Sequence, residues 1–508
     1  MFLQEPELAI HIRQGLEREA LRSLPSGMTS QVSHPSELGS KLTHAHITTD
    51  YAENLLEFIT AVHHNTNGLL DELLSLQSFT QKNIGNELIW PTSMPCALPV
   101  DEGNIPLAYY GESNVGKLKT LYRKGLGHRY GRQMQSIAGV HYNFSLTDSF
   151  WEHKHEQEKS LLSLADYKSE NYFSIIRNFH KYKWILMYLF GASPLVDKSF
   201  LTGREHKLEK FNDDTYFSPE GTSLRMGGLG YTSQAQESIG ICYNQLDTYI
   251  KTLEEARLQS FPEYESLGLK SGSELLQLNT NILQIDNEFY STIRPKNIAL
   301  TRESALMALH HRGIEYIEIR LLDLDPYSIT GIGKEQIYFL HLFLLHCLIE
   351  ESPKISNEDC SEFDSNFKKV VTHGRAKTVQ LSIKGQSISM HDWMENLFDS
   401  LSPLVDSLST VDPYYKVAFD FQRRKITNLD LLPSQKMIND MYGKKFVDYG
   451  LNLSSNYKNQ YQECLSAFEK LKDMAKESFE AQKIIEGNDK LSFEDFLVEY
   501  FENIKIKF

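Results

Sequence analysis

The most informative segment of the sequence reads Gly15-Leu16-Glu17-Arg18-Glu19-Ala20-Leu21-Arg22. In a β-strand, Glu17 and Glu19 would share one face at a separation of ~7 Å, whereas in a helix they would point to nearly opposite sides. Two carboxylates at that separation repel by ~2 kcal/mol at an effective dielectric constant near 20. A strand that keeps both ionised therefore needs a cation, most simply Mg²⁺ or Mn²⁺. The alternative is an exposed edge strand with both acids in water.

The composition is that of an ordinary globular protein that binds no nucleic acid. The chain has 508 residues, of which 41% are hydrophobic and 23% are charged. Its net charge of -15 argues against a nucleic-acid-binding surface, which needs a basic face, although it leaves room for a local pocket that binds an anionic small molecule. Five cysteines are scattered without C-x-x-C spacing, which indicates reduced thiols rather than disulfides or a zinc site.

The sequence contains no targeting or membrane signal. The N-terminal residues Met1-Phe2-Leu3-Gln4-Glu5-Pro6-Glu7 are acidic and lack the basic start and apolar core of a secretory signal. The longest apolar runs, residues 184–190 and 337–349, are shorter than the ~20 residues that span a bilayer. We therefore expect a cytoplasmic protein without a membrane partner, and a monomer is compatible with the sequence.

The pattern of elements predicts an α+β fold. Strands are expected at residues 15–22, 135–145, 276–279, 282–290 and 314–320, and a hairpin at 378–390. Helical spacing covers residues 66–86, 151–190, 234–257 and most of the chain after 334, apart from an acidic loop at 350–364. Residues 1–350 would form a catalytic core and 351–508 a mainly helical part packed on it, unless the two form one continuous domain.

A basic stretch stands out in this acidic chain. Between residues 117 and 132 there are six lysines and arginines and no acid: Lys117, Lys119, Arg123, Lys124, Arg129 and Arg132. One interpretation is a solvated helix face, and the other is a contact for phosphate or carboxylate.

Other candidate site residues are, like Glu17 and Glu19, charged or polar side chains in or beside apolar segments. Glu57 lies within an apolar run and needs a cation unless it points outward. Each of the others has a structural alternative, such as a core histidine or an ion pair within a strand. Several strand-borne acids, one histidine and several arginines, without a cysteine ligand set, together suit divalent ions that hold a nucleoside triphosphate. These further candidates are Asp50, Glu53, His141, Asn143, Arg225, Glu318 and Arg320.

Five separated segments resemble the bacterial type 1 glutamate–cysteine ligase family, and the likeness extends in order over nearly the whole chain. The resemblance is vaguest after about residue 350. The segments are Arg13-Gln14-Gly15-Leu16-Glu17-Arg18-Glu19-Ala20-Leu21-Arg22, Ile47-Thr48-Thr49-Asp50-Tyr51-Ala52-Glu53, Trp90-Pro91-Thr92-Ser93-Met94-Pro95-Cys96, Gly139-Val140-His141-Tyr142-Asn143-Phe144-Ser145 and Gly313-Ile314-Glu315-Tyr316-Ile317-Glu318-Ile319-Arg320.

The resemblance implies a glutamine-synthetase-like core, in which a curved antiparallel sheet forms a funnel with helices packed outside. It also implies the first enzyme of glutathione synthesis. ATP, L-glutamate and L-cysteine would react through a γ-glutamyl phosphate to give γ-glutamylcysteine, ADP and phosphate. Two alternatives remain open: a ligase of the same core that joins glutamate to another amine, and a catalytically silent nucleotide-binding regulator.

The resemblance also implies roles for individual residues. One departure is Tyr51, where phenylalanine is common in the family. The implied ligands of Mg²⁺ (or Mn²⁺) are Glu17, Glu19, Asp50, Glu57, His141 and Glu318. Arg320 and Arg123 would meet the transferred phosphoryl group, and Arg225, Gln135 and Asn143 would surround the glutamate. The cysteine pocket would contain Tyr51, Tyr122, Tyr231 and Tyr290, with Ile137 and Leu126 as lining residues.

Overall fold

One antiparallel sheet organises the computed structural model, which describes residues 2–230, 233–300, 303–462 and 467–506. The strands, in chain order, are β1 (Ile12–Ser23), β2 (Ile47–Thr49), β3 (Leu55–Ile59), β4 (Leu88–Ile89), β5 (Val140–Leu146), β6 (Leu195–Asp197), β7 (Glu209–Lys210), β8 (Thr215–Phe217), β9 (Lys270–Ser271), β10 (Glu274–Leu275), β11 (Ile293–Lys296), β12 (Tyr316–Leu322), β13 (Gln380–Ile383) and β14 (Gln386–Ser389).

The long strand β1 lies near the middle of this sheet. The strand order is β11-β12-β5-β1-β3-β2, and β4 extends the sheet by pairing with the end of β1. All of these neighbours are antiparallel, so segments that are far apart in sequence lie side by side. One face of the sheet is therefore assembled from residues 12–23, 55–59, 140–146, 293–296 and 316–322.

Helices cover the sheet and make up most of the second half of the chain. They are α1 (Thr66–Asn83), α2 (Asn114–Tyr130), α3 (Asp148–Glu158), α4 (Leu164–Phe190), α5 (Gln234–Glu237), α6 (Leu246–Leu258), α7 (Pro262–Leu267), α8 (Ala305–Arg312), α9 (Lys334–Ile349), α10 (Asn357–His373), α11 (Met390–Leu408), α12 (Tyr414–Thr427), α13 (Pro433–Asp440), α14 (Phe446–Tyr461), α15 (Phe468–Asn488) and α16 (Phe493–Asn503).

The core lies between the sheet and its helical layer. Helix α1 packs on β1, and α4 packs on β12. The apolar helix α9 packs against α4, α11 and α12, so it is buried nearly all round. The buried apolar side chains form one connected cluster, whose members range along the chain from Phe2 to Leu471. The predicted division at residue 350 stays a prediction, and this continuity favours the single-domain alternative.

The α+β class and the mixture of antiparallel sheet and outer helices are confirmed. The predicted strand at 15–22, the helix at 66–86 and the hairpin at 378–390 correspond to β1, α1 and the β13–β14 pair. Within the described residues, no helix combines the length and apolarity needed to cross a membrane. The four cysteines among those residues are free thiols, and Cys464 lies outside them.

Two predicted strands are wrong because side chains bind their backbone. Residues 276–279 and 282–290 form irregular chain with a 3₁₀ turn at Asp286–Glu288. The guanidinium of Arg129 donates to the carbonyl oxygens of Asn279 and Asn281. The amide of Leu278 donates to Gln284 Oε1 instead of to a neighbouring strand. These bonds satisfy backbone groups that a sheet would otherwise pair.

Three predicted boundaries also need correction. The strand predicted from residue 135 begins only at Val140, and Gln135 lies in a 3₁₀ turn. The helix predicted over 234–257 is interrupted, because Asn244 forms two hydrogen bonds with the backbone of Ile355. The acidic loop predicted to reach residue 364 ends at Ser356, whose capping box with Asp359 starts α10 at Asn357.

We predict that Gly450→Ala destabilises the fold. A Cβ atom at this position in α14 would lie 2.0 Å from the ring of Trp90, which is fully buried. The expected loss is about 1–3 kcal/mol in the free energy of unfolding, measured by urea denaturation.

The matched control is Gly487→Ala in α15, where a Cβ atom meets nothing within 4 Å. This variant should be as stable as the wild type or slightly more stable, because alanine favours the helix. Equal stability of Gly450→Ala and the wild type would contradict the packing described for α14.

Candidate functional site

A cavity of about 360 Å³ opens between the sheet face and α2. Its wall combines acidic, basic and aromatic side chains from segments that are far apart in sequence. The residues predicted for the site that line it are Glu17, Glu19, Asp50, Glu57, Tyr122, Arg123, Leu126, Gln135, His141, Arg225, Tyr290, Glu318 and Arg320.

The register of the sheet brings the acidic residues together. Glu17 on β1 lies opposite His141 on β5, and Glu19 lies opposite Glu57 on β3. On the other side of β5, Asn143 lies opposite Glu318 on β12. Because cross-strand neighbours have Cβ atoms about 5 Å apart, this pairing places the acids on one patch of the sheet.

His141 connects three of the carboxylates. Its Nδ1 atom lies 3.2 Å from Glu17 Oε2 and 3.4 Å from Glu318 Oε1. Its Nε2 atom lies 3.7 Å from Glu19 Oε1. Ligand atoms of Glu17, Glu57 and His141 all lie within 4.8 Å of one another, which is close enough to hold one metal ion.

The pKa values of the cavity glutamates shift in different directions, according to the charged groups next to each. The four are Glu17, Glu19, Glu57 and Glu318. Burial would raise the pKa of Glu17, but His141 outweighs it and lowers this pKa below its usual value. Burial is likewise outweighed at Glu318, whose pKa is lowered well below its usual value by Arg320 and Lys296. Burial raises the pKa of Glu19.

Glu57 is the least compensated acid of the cavity. Its pKa is raised well above the usual value, first by burial and then by repulsion from Glu17 and Asp50. The ionised form of this carboxylate therefore lacks sufficient positive charge around it. A divalent cation at the Glu17, Glu57 and His141 cluster would supply that charge.

Basic residues line the cavity on the sheet and on helix α2. Arg320 Nη1 donates to Glu318 Oε1 at 2.6 Å, and Lys296 Nζ lies 3.4 Å from Glu318 Oε2. On α2, Arg123 Nε donates to the carbonyl oxygen of Asp50. Burial, reinforced by the charge of Arg123, lowers the pKa of Lys119 to about 8. The cavity thus presents cations on two sides of an acidic centre.

Arg225 is held in place by backbone and by a buried acid. Its Nη2 atom donates to the carbonyl oxygen of Arg320 at 2.8 Å, and its Nη1 atom lies 3.9 Å from Asp323 Oδ1. Asp323 also accepts hydrogen bonds from the amide of Ala192 and the hydroxyl of Ser193. A side chain at Gly139 would come within 2.1 Å of the Arg225 guanidinium, so only glycine fits there.

Five candidate site residues do not line the cavity or lie outside the described residues. Glu53 is buried in an ion pair with Lys41 at 2.6 Å and is absent from the cavity wall. Tyr51 is buried, and its hydroxyl lies against Gly127 of α2, where a Cβ atom would be 2.4 Å away. Asn143 supports the site indirectly, because its Nδ2 atom donates to Glu17 Oε1 at 2.9 Å. Ile137 is fully buried and is absent from the cavity wall, and Tyr231 lies outside the described residues.

The sequence analysis assigned no site role to three basic residues of the wall: Lys119, Arg294 and Lys296. Lys119 belongs to the basic stretch at residues 117–132, whose lack of acids is the pattern that could have identified it as an anion contact. Arg294 and Lys296 are two residues apart on β11 and therefore share one face of this strand, and Arg294 lies opposite Glu318. That pairing depends on which strands become neighbours, so the local sequence does not reveal it.

We predict that Glu57→Gln stabilises the metal-free protein by about 1–2 kcal/mol at pH 7.5, because it removes a repelled carboxylate from the cavity. Urea denaturation in EDTA measures this. Glu209→Gln, on an exposed strand, is the control and should change nothing. A less stable Glu57→Gln variant would show that the carboxylate is already compensated.

Comparisons with known proteins agree with this geometry. A protein named glutamate–cysteine ligase from Saccharophagus degradans is 44% identical, and the alignment covers 97% of this chain and 95% of that protein. One from Hahella chejuensis is 43% identical, with 98% and 97% covered. The crystal structure of glutamate–cysteine ligase from Francisella tularensis in complex with AMP has a TM-score of 0.91 and 35% identity, covering 97% of this chain and 98% of that chain.

A more distant neighbour shares the fold alone. The crystal structure of a bifunctional glutathione synthetase from Pasteurella multocida has a TM-score of 0.74 at 22% identity and covers 93% of this chain and 57% of that one. A family model described as glutamate–cysteine ligase matches residues 3–370. The chain therefore belongs to the glutamate–cysteine ligase family.

Proposed function

We propose that this protein joins the γ-carboxylate of L-glutamate to the amine of L-cysteine at the expense of ATP, giving γ-glutamylcysteine, ADP and phosphate. This is the first step of glutathione synthesis. The observation that carries the proposal is a single cavity, in a chain of this family, where an acidic cluster lies between two groups of basic side chains. One chain supplies every residue to which this proposal assigns a role.

The first step is phosphoryl transfer. A γ-carboxylate oxygen of glutamate attacks the γ-phosphorus of ATP, the bond to the β,γ-bridging oxygen breaks, and ADP leaves. This reaction depends on positioning and charge neutralisation more than on covalent help from the protein. Arg320 and Arg123 lie on opposite walls of the cavity and would stabilise the charge on the transferred group. The cavity therefore needs no protein nucleophile.

The second step forms the amide bond. The cysteine amine attacks the carbonyl carbon of γ-glutamyl phosphate, the carbon–oxygen bond to phosphate breaks, and the nitrogen gives up its proton. In our proposal Arg225 and Gln135 hold the glutamate, and Tyr122, Leu126 and Tyr290 bound the space for the amine substrate. Gln135 Nε2 donates to the Tyr290 hydroxyl at 3.1 Å, so these two subsites adjoin.

The donor set fits a magnesium ion. Carboxylate oxygens and phosphate oxygens are the ligands that Mg²⁺ prefers, and Mn²⁺ accepts an imidazole as well. Glu17, Glu57 and His141 form the compact group, with Glu19, Asp50 and Glu318 in the same cavity. A bound divalent ion would neutralise charge on the phosphates. The elevated pKa of Glu57 supports such an ion, because that carboxylate needs a further positive charge.

The decisive assay measures phosphate release from ATP with glutamate and cysteine added singly and together. We expect release only with both amino acids, and a product with the mass of γ-glutamylcysteine. A better rate with another amine would favour the alternative ligase. Nucleotide binding without phosphate release under any combination would favour the silent regulator.

We predict that Glu19→Gln and Arg320→Lys each lower kcat by about 100-fold or more, because the first removes a proposed metal ligand and the second a guanidinium placed at the transferred phosphoryl group. Phosphate release under saturating substrates measures this, and circular dichroism checks the fold. Arg423→Lys, at a partly exposed surface ion pair, is the control and should keep wild-type activity. Wild-type turnover in either site variant would refute its role.

We also predict that activity is lost in EDTA and restored by Mg²⁺. Glu17→Gln should raise the Mg²⁺ concentration for half-maximal activity by about tenfold, since a ligand and its charge are removed. Glu209→Gln should leave the Mg²⁺ titration unchanged. An identical titration for Glu17→Gln and the wild type would exclude Glu17 as a ligand.

A further inference from the structure

Lys119 lines the catalytic cavity without a hydrogen-bond or ion-pair partner for its ammonium group. Within the part of the chain that the structure describes, its Nζ atom faces the ring of Tyr110, 5.3 Å from the ring centroid, and contacts no carboxylate or carbonyl oxygen. Burial and the charge of Arg123 lower its pKa to about 8, and Glu57 offsets part of this effect. The charge of Lys119 therefore stays poorly compensated until an anionic group enters the cavity.

Other basic side chains of the wall are already bound by the protein. Arg320 and Lys296 both contact Glu318. Arg294 and Arg225 each donate a hydrogen bond to a backbone carbonyl oxygen. The proposed function uses arginines for the phosphoryl group and for glutamate, and it leaves the carboxylate of the amine substrate without a cation. A carboxylate buried without a cation or hydrogen bonds would bind poorly.

Lys119 lies on the face of α2 that bounds the space for the amine substrate. Tyr122 and Leu126 follow it on this helix at the spacing that places residues on one face, and all three line the cavity. Lys119 and Tyr122 are ~4.5 Å apart along the helix axis, which is less than the length of one amino acid substrate. The ammonium group is therefore placed to meet the carboxylate of an amino acid that is bound beside Tyr122.

The surroundings of Lys119 hold it in place. Tyr110, whose ring it faces, is buried, and the hydroxyl of this tyrosine donates to the carbonyl oxygen of Thr49 at 2.6 Å. The residues Leu118 and Leu121 of α2 pack against apolar side chains of α16. The helix and the ring beside Lys119 are thus both fixed to other elements, as a selective binding site requires.

We propose that Lys119 binds the carboxylate of the amine substrate and thereby makes the protein prefer α-amino acids to amines that lack a carboxylate. This inference rests on the proposed function, because it assigns one group of the second amino acid in the same reaction. The other anion within reach is the transferred phosphoryl group. In the proposed function, Arg123, Arg320 and a divalent ion already neutralise that group, so the carboxylate is the anion that still needs a cation.

The first test compares cysteine with cysteamine, which is the same molecule without its carboxylate. Phosphate release is measured at saturating ATP and glutamate. In Lys119→Met we expect kcat/KM for cysteine to fall by about 30-fold, because a charge-assisted contact is lost. The value for cysteamine should change by less than about threefold, since this amine makes no such contact. Retained turnover of cysteamine also shows that the variant is folded.

Two further variants separate the charge of Lys119 from its packing. Lys119→Arg keeps a cation and should recover most of the preference for cysteine over cysteamine. Lys117→Met is the control, because Lys117 lies on the same helix, outside the cavity wall, with its Nζ atom 3.3 Å from Glu112. It should behave as the wild type. Equal losses with both amines in Lys119→Met, or a higher KM for ATP with an unchanged preference for cysteine, would overturn the inference.

The second test starts from the wild-type protein and uses L-cysteinamide, which has the shape of cysteine but a neutral amide in place of the carboxylate. The wild type should use cysteinamide with a kcat/KM about 30-fold lower than that for cysteine, and Lys119→Met should discriminate by less than about threefold. Equal use of both compounds by the wild type would overturn the inference. The proposed function is judged separately, by whether wild-type phosphate release requires glutamate and cysteine together.

Discussion

Repulsion between carboxylates in a half-buried cavity is the constraint to which the rest of this structure responds. Glu17, Glu19 and Glu57 lie on adjacent strands, and burial raises the pKa of two of them, Glu19 and Glu57. An arrangement of this kind costs free energy unless cations or protons compensate it. The protein supplies part of the compensation through His141 and Arg320, and a divalent cation would supply the positive charge that is still missing at Glu57.

The sheet keeps this unfavourable cluster in place. Each of these three acids lies on a strand that pairs with another strand on both sides. The acids could move apart only if backbone hydrogen bonds of the sheet were broken. The basic groups come from elements around it: Arg123 from α2, and Lys296 from the edge strand β11. Arg320 and Lys296 already contact Glu318, whereas Arg123 on α2 is separated from the acidic strands by the cavity, so a substrate in the cavity would lie between the two. This separation is what a site for charge-neutralising phosphoryl transfer requires.

Local sequence patterns predicted the individual parts of the site but not their assembly. The alternation of Glu17 and Glu19 predicted β1 and its acidic face, and the resemblance of the segment around His141 predicted a residue that lines the cavity. Alternation alone extended the strand at residue 140 too far, because it cannot detect that the amide of Gly139 bonds Glu19. Lys296 could not be predicted from any motif, since its place in the cavity wall depends on the packing of β11 beside β12. Long-range packing of this kind leaves no local periodic signal.

The central claim is that the acids converge in order to hold a divalent cation together with a nucleotide. Anomalous diffraction from crystals grown with Mn²⁺ and a non-hydrolysable ATP analogue tests it most directly. The account predicts an anomalous peak within coordination distance of Glu17, Glu57 and His141, in contact with the phosphates of the analogue. A nucleotide bound in the cavity with no anomalous peak at these side chains, or a peak only at another site, would contradict it.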